Sequence, residues 1–225
     1  MARLAHRSLE GRCWHSRTDH LARALDRQLV IGLSILIALD VSFIALYLLD
    51  QIYGLATDPR WEVGSEHSYA EMFSYLKLAS VVALLIATFR HSKEQSYLVW
   101  AGLFAYVLLD DALLLYQRLR DAFDDHSHST TGQVAAWFLV GMLVLATTAG
   151  VVARSSGDDR TNSVLLLTAL AALGFFAVAV DLAHAVFHSW FRGGDQLFTI
   201  MEEGGEQLVQ SLTVAIAVLI WRSKR

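Results

Sequence analysis

Six blocks of about twenty mostly apolar residues, joined by short polar connections, leave this chain very few ways to fold. As an α-helix rising 1.5 Å per residue, such a block matches the hydrocarbon thickness of a bilayer. Inside lipid, a helix satisfies its backbone polar groups within itself. The blocks are residues 29–49, 72–89, 97–115, 133–152, 164–187 and 197–221. They predict an all-α integral membrane protein, a bundle of six transmembrane helices. Composition agrees, with 55% hydrophobic residues, 18% charged residues, one proline and a mean hydropathy of +0.42. Ordinary soluble domains carry about 25% charged residues.

The distribution of Lys and Arg predicts the orientation. With the N-terminus inside, thirteen of the eighteen basic residues fall on inner segments and four on outer ones, Arg60, Arg118, Arg120 and Arg192. Lys77 falls within a span. Both termini are therefore expected in the cytoplasm, around a transmembrane domain of residues 29–222. The basic arm, residues 1–28, is either a solvated topogenic tail or an interfacial helix dipping Trp14, Leu21 and Leu25 into the inner leaflet. Its mixed, arginine-rich character does not fit a cleaved leader. The expected location is a plasma membrane of the bacterial inner-membrane type. Trp100, Trp137, Trp190 and Trp221, near helix ends, read as an aromatic belt, and Gly141 and Gly150 as points of close helix packing.

Several function classes are disfavoured at once. A net charge of −4 gives no general attraction for nucleic acid. Cys13 is the single cysteine, so no intrachain disulfide or cysteine-rich metal site can form. There is no phosphate-binding loop, nucleophile elbow or haem-attachment motif. The partners expected are the lipid bilayer and a second copy in a homo-oligomer, with no nucleic acid.

The informative residues are the ionisable ones inside the spans, which are costly there and imply function or a buried partner. Measured along the helices, Asp110, Asp111, Glu206 and Asp181 lie roughly 20–26 Å from the inner ends, a single layer in the outer third of the bilayer. His184, His188, Glu202 and Glu203 sit just above it, and Asp40 lies deeper, near the midplane. The last span cannot avoid its acids. Residues 208–221 alone reach only about 21 Å, short of the roughly 30 Å required, so Glu206 must be immersed.

Helical spacing aligns Asp181, His184 and His188 in one stripe, and Glu202, Glu203, Glu206 and Gln210 in another. Asp110 and Asp111 point about 100° apart, so one can face a central site and the other a neighbouring helix. Glu71, Ser74, Tyr75 and Lys77 come from the second span. So many carboxylates beside one lysine cannot all stay ionised and unpaired in a low dielectric; some are protonated, or a cation is present. Carboxylates with imidazoles suit a divalent metal ion, Zn, Mn or Fe. The expected ligands are Asp110, Asp111, Asp181, His184, His188, Glu202, Glu203 and Glu206, with Asp40 and Lys77 as relay or secondary groups. Structural charge pairing is the plainer alternative for any one of them.

Asp181 with His184 and His188 is the Asp plus His-x3-His pattern that alkaline-ceramidase-like membrane hydrolases also use. The further histidine and serine of that set have no counterpart, and six spans are counted against their seven, so the resemblance is not carried further. Three functions remain open: cation binding or transport through an outward-facing cavity, an intramembrane metal-dependent enzyme acting on a lipid or amphiphile, and a non-catalytic sensor or assembly subunit. Gly204 and Gly205 would let a helix or substrate approach the last span closely.

Overall fold

In a computed structural model, the structure describes residues 27–54, 59–61, 68–113, 115, 130–180, 183, 184, 187 and 194–225. The described residues are helical, with no strand among them. The helices are α1 (Arg27–Tyr53), α2 (Tyr69–Ser92), α3 (Gln95–Leu113), α4 (Thr130–Arg154), α5 (Gly157–Gly174) and α6 (Gly194–Lys224). A short 3-10 turn, Pro59–Trp61, follows α1, and α5 continues as a π-helical turn over Phe175–Val180. Five of these segments are long and apolar enough to cross a membrane: α1, α2, α3, α5 with its π turn, and α6. The chain is a multi-pass membrane protein by that measure. The basic arm lies outside the described residues.

Each apolar block thus forms a helix, and four of the six extend a few residues beyond the block at both ends, whereas α3 ends at Leu113 and α5 passes into the π turn at Phe175. At the start of α2 the Ser68 side chain accepts from the Glu71 backbone N–H, capping an otherwise unpaired donor. At its end Lys93 adopts a left-handed conformation (φ 61°), and its N–H returns to the Phe89 carbonyl at 2.8 Å. That reversal allows α3 to begin at Gln95 and pack along α2. Gly157, at φ +56°, makes the equivalent tight reversal between α4 and α5.

Helix α6 is the centre of the bundle. It packs against α1, α2, α5 and the π turn, and half of its spanning window is buried, against 11% for α1. The main core joins Leu78, Val81 and Leu85 of α2 with Trp100 and Phe104 of α3, Leu166 of α5 and Ile220 of α6. It occupies the half of the bundle nearer the α2–α3 turn and the end of α6, called here the basic end. The other, acidic end holds a smaller cluster of Tyr47 and Ala70 with Phe43 and Ile200.

Two sequence expectations change. Trp100 does not sit in an interfacial belt: it is fully buried, and its Nε1 donates to Ser163 Oγ at 3.2 Å. A small hydroxyl on α5 both makes room for the indole and satisfies it. Trp221 is half-buried, with the Arg225 guanidinium 4.9 Å over its ring, and the Trp61 and Tyr69 rings lie tilted to one another with centroids 4.7 Å apart near the acidic end. The side chains of Trp137 and Trp190 lie outside the described residues. Among the described residues, a Cβ added at Gly141 or Gly150 would meet nothing within 4 Å. Their surroundings explain it: α4 exposes Met142, Leu143 and Leu145 at the edge of the bundle.

A polar clasp closes the basic end. Tyr97 of α3 donates to Asp159 Oδ1 of α5 at 2.5 Å, and Asn162 Nδ2 donates to the same phenol at 2.9 Å. Lys224 of α6 reaches Asp159 at 2.8 Å. Tyr97→Phe removes the shared hydroxyl without changing the ring. A loss of about 1 kcal/mol is expected, read as a fall of roughly 2–4 °C in the thermal midpoint in detergent.

Candidate functional site

Three helices bring their acids together at the acidic end. The Tyr75 hydroxyl of α2 donates to Glu71 Oε1, one turn earlier, and also lies 3.1 Å from the Asp111 carbonyl oxygen of α3. This contact pins the end of α3 beside the start of α2. Asp111 and Glu71 are electrostatic neighbours of Glu203 on α6, while Glu206 has Glu203, Asp111 and Glu202 around it. All of these side chains, Glu71 included, are half-buried. Among the described residues no Lys or Arg pairs with Asp111, Glu203 or Glu206.

The two adjacent aspartates divide as their 100° offset requires. Asp111 faces the cluster, and Asp110 lies near Tyr106, one turn back on its own helix. His184 stacks on Phe198 of α6, with ring centroids 5.4 Å apart and planes 14° from parallel. Phe198 is one turn from Glu202, so the histidine stands at the rim of the acidic mouth. Asp181 and His188 lie outside the described residues, as does the acidic, histidine-bearing stretch 124–128. Among the described residues, no three His, Cys, Asp or Glu side chains converge closely enough to hold a metal ion.

Beneath the mouth lies a network that sequence reasoning only partly anticipated. Asp40 of α1 is fully buried and Lys77 of α2 is 2% exposed. Lys77 Nζ donates to Asp40 Oδ1 at 2.8 Å, to the Gln207 backbone carbonyl at 2.8 Å and to Ser211 Oγ at 3.4 Å. Ser211 in turn donates to Asp40 Oδ2 at 2.5 Å. The ammonium also lies 4.9 Å from the centroid of the Phe73 ring. Lys77 was expected among the outer carboxylates. It points instead to the midplane, because Asp40 and two acceptors on α6 offer its three protons a complete set of partners.

Between mouth and network, the Oε1 atoms of Gln207 and Gln210 are buried without a hydrogen-bond partner, each residue being 2% exposed. They follow Glu203 and Glu206 by four residues and continue that face toward the basic end. Gln207 and Ser211 are the participants not singled out from sequence, where they read as further polar residues in an already polar stretch.

Gly204 and Gly205 serve helix packing. An added Cβ at Gly205 would approach Phe176 Cγ to 2.8 Å and its Cδ1 and Cε1 more closely still; at Gly204 it would approach Ile44 Cδ1 to 2.9 Å. The glycines therefore seat the π turn and α1 against α6 at the level of the acids. No curated protein and no solved structure shows a significant match to the chain. Residues 28–221, nearly the whole of the described bundle, match the family described as a domain of unknown function (DUF8692), and the chain belongs to that family.

Proposed function

We propose that this protein crosses the membrane six times, with both termini inside, and binds a cation in an outward-facing carboxylate cavity at the acidic end. One observation carries the reading: Asp111, Glu203 and Glu206 gather without a basic partner among the described residues, directly above two orphaned, buried amide oxygens. Like charges at such proximity are costly in low dielectric. A cation entering the mouth would relieve that repulsion, and Gln207 and Gln210 would offer it neutral oxygen ligands. A divalent metal, Zn, Mn or Fe, is the form of the proposal in which Asp181, His184 and His188 complete the donor set, with Asp110 and Glu202 outside it as neighbours.

Below the mouth the Asp40–Lys77 pair and the apolar core form a floor. That closed floor favours a second reading, an intramembrane metal-dependent enzyme acting on an amphiphile from the acidic end. Uptake of the bound cation by proteoliposomes separates the two: flux supports transport, and stoichiometric binding without flux supports the enzyme.

The underlying cation site is tested by the double variant Glu203→Gln, Glu206→Gln. Removing like charges is expected to raise the thermal midpoint of the cation-free protein while weakening cation-induced stabilisation at least tenfold in the concentration required. Purified protein that retains no metal after loading with Zn, Mn or Fe, and that is not stabilised by monovalent cations either, would overturn the proposal.

A further inference from the structure

An open groove of about 560 Å³ lies between α2 and α6 at the basic end, remote from the acidic mouth. Its floor is Ala83, Ile86 and Ala87 of α2. Two alanines four residues apart leave a trough on that helix face where larger side chains would make a ridge. Trp221 of α6 forms a wall, and Arg90, His91 and Arg225 form the rim. Arg90, His91 and Arg225 are exposed, as is Ala83 at the apolar end of the trough. No acidic side chain lines the groove among the described residues, and the nearby Asp159 is engaged by Tyr97 and Lys224.

The groove is therefore amphipathic along the axis of α2. Its apolar part opens beside the membrane-spanning stretch, and its cationic part lies where that stretch gives way to the polar turn at Lys93. The Arg225–Trp221 contact, at 4.9 Å, places a guanidinium on the indole at the same level. We propose that this groove binds an anionic phospholipid, its headgroup phosphate between Arg90 and Arg225 and one acyl chain along the alanine trough. Guanidinium groups match phosphate oxygens in charge and in forked geometry. Basic pockets between membrane helices at this level are suited to anionic headgroups. The apolar floor distinguishes a lipid from free phosphate, which has nothing to place there.

Native mass spectrometry of the full chain in neutral detergent, titrated with phosphatidylglycerol or phosphatidylcholine, tests the assignment. The protein is expected to retain phosphatidylglycerol preferentially, and Arg90→Gln with Arg225→Gln to weaken that retention about tenfold or more while leaving phosphatidylcholine unchanged. Ala83→Leu fills the exposed end of the trough and keeps every charge; it is expected to weaken phosphatidylglycerol retention on a fold that the substitution does not strain. Unchanged phosphatidylglycerol retention in either variant would overturn the proposal. So would displacement of the lipid by inorganic phosphate at equal concentration, which would make the site one for a soluble anion.

Discussion

Lys77→Met is expected to destabilise the protein by about 3–5 kcal/mol, the cost typical of removing one partner from a buried ion pair. Methionine fills nearly the same volume, so the loss is electrostatic in origin. Asp40, fully buried, would keep the Ser211 hydroxyl but lose its cationic partner at 2.8 Å. The Gln207 carbonyl would lose a donor as well. Asp40→Leu alone should cost a similar amount by stranding the ammonium. The double variant Asp40→Leu, Lys77→Met removes both charges and is expected to recover most of the stability, since apolar replacement of a whole buried pair is often neutral or favourable. Thermal or denaturant unfolding in a fixed detergent measures all three. A single-variant loss below about 1 kcal/mol, or a double variant no better than the singles, would show that the pair is not the anchor described here.

Gly205→Ala is expected to cost about 1–3 kcal/mol, the range for forcing extra volume into a packed contact. The new methyl would press on Phe176 at the root of its ring, where the side chain can yield only by a rotamer change or a shift of the π turn. Gly204→Ala should cost less, because its nearest neighbour is the terminal methyl of Ile44, which can swing aside. Combining Gly205→Ala with Phe176→Leu should recover part of the loss by vacating that space. Equal effects of the two glycine substitutions would contradict the packing described. The same strain would displace Glu203 and Glu206, so the Gly205 variant should also weaken the cation response proposed above.

The reach of the sequence is clear at particular residues. That the last helix runs through Glu206 and does not begin after it followed from helix length alone, since residues 208–221 are too short to cross by themselves. The separation of Asp110 from Asp111 followed from the 100° step of a helix, though only packing chose Asp111 as the one facing Glu203 and Glu206. Trp100 was misplaced because its position near a helix end cannot reveal Ser163, sixty-three residues later, as a buried partner. Gly141 and Gly150 meet no close neighbour among the described residues: a glycine permits close approach, and only a neighbouring helix supplies it.

The sequence by itself determined the apolar helical blocks and the continuation of the last helix through its acids. Those properties depend on local hydrophobicity and on helical rise, which are written residue by residue. Tertiary structure alone decided that Lys77 belongs to Asp40 rather than to the outer carboxylates, and that Gly204 and Gly205 admit Ile44 and Phe176. It also decided that acids of α2, α3 and α6 lie within electrostatic reach of one another. The physical reason is common to all three: which faces meet depends on how α1, α2, α3 and α5 are arranged around α6, and no spacing within a single helix encodes its neighbours.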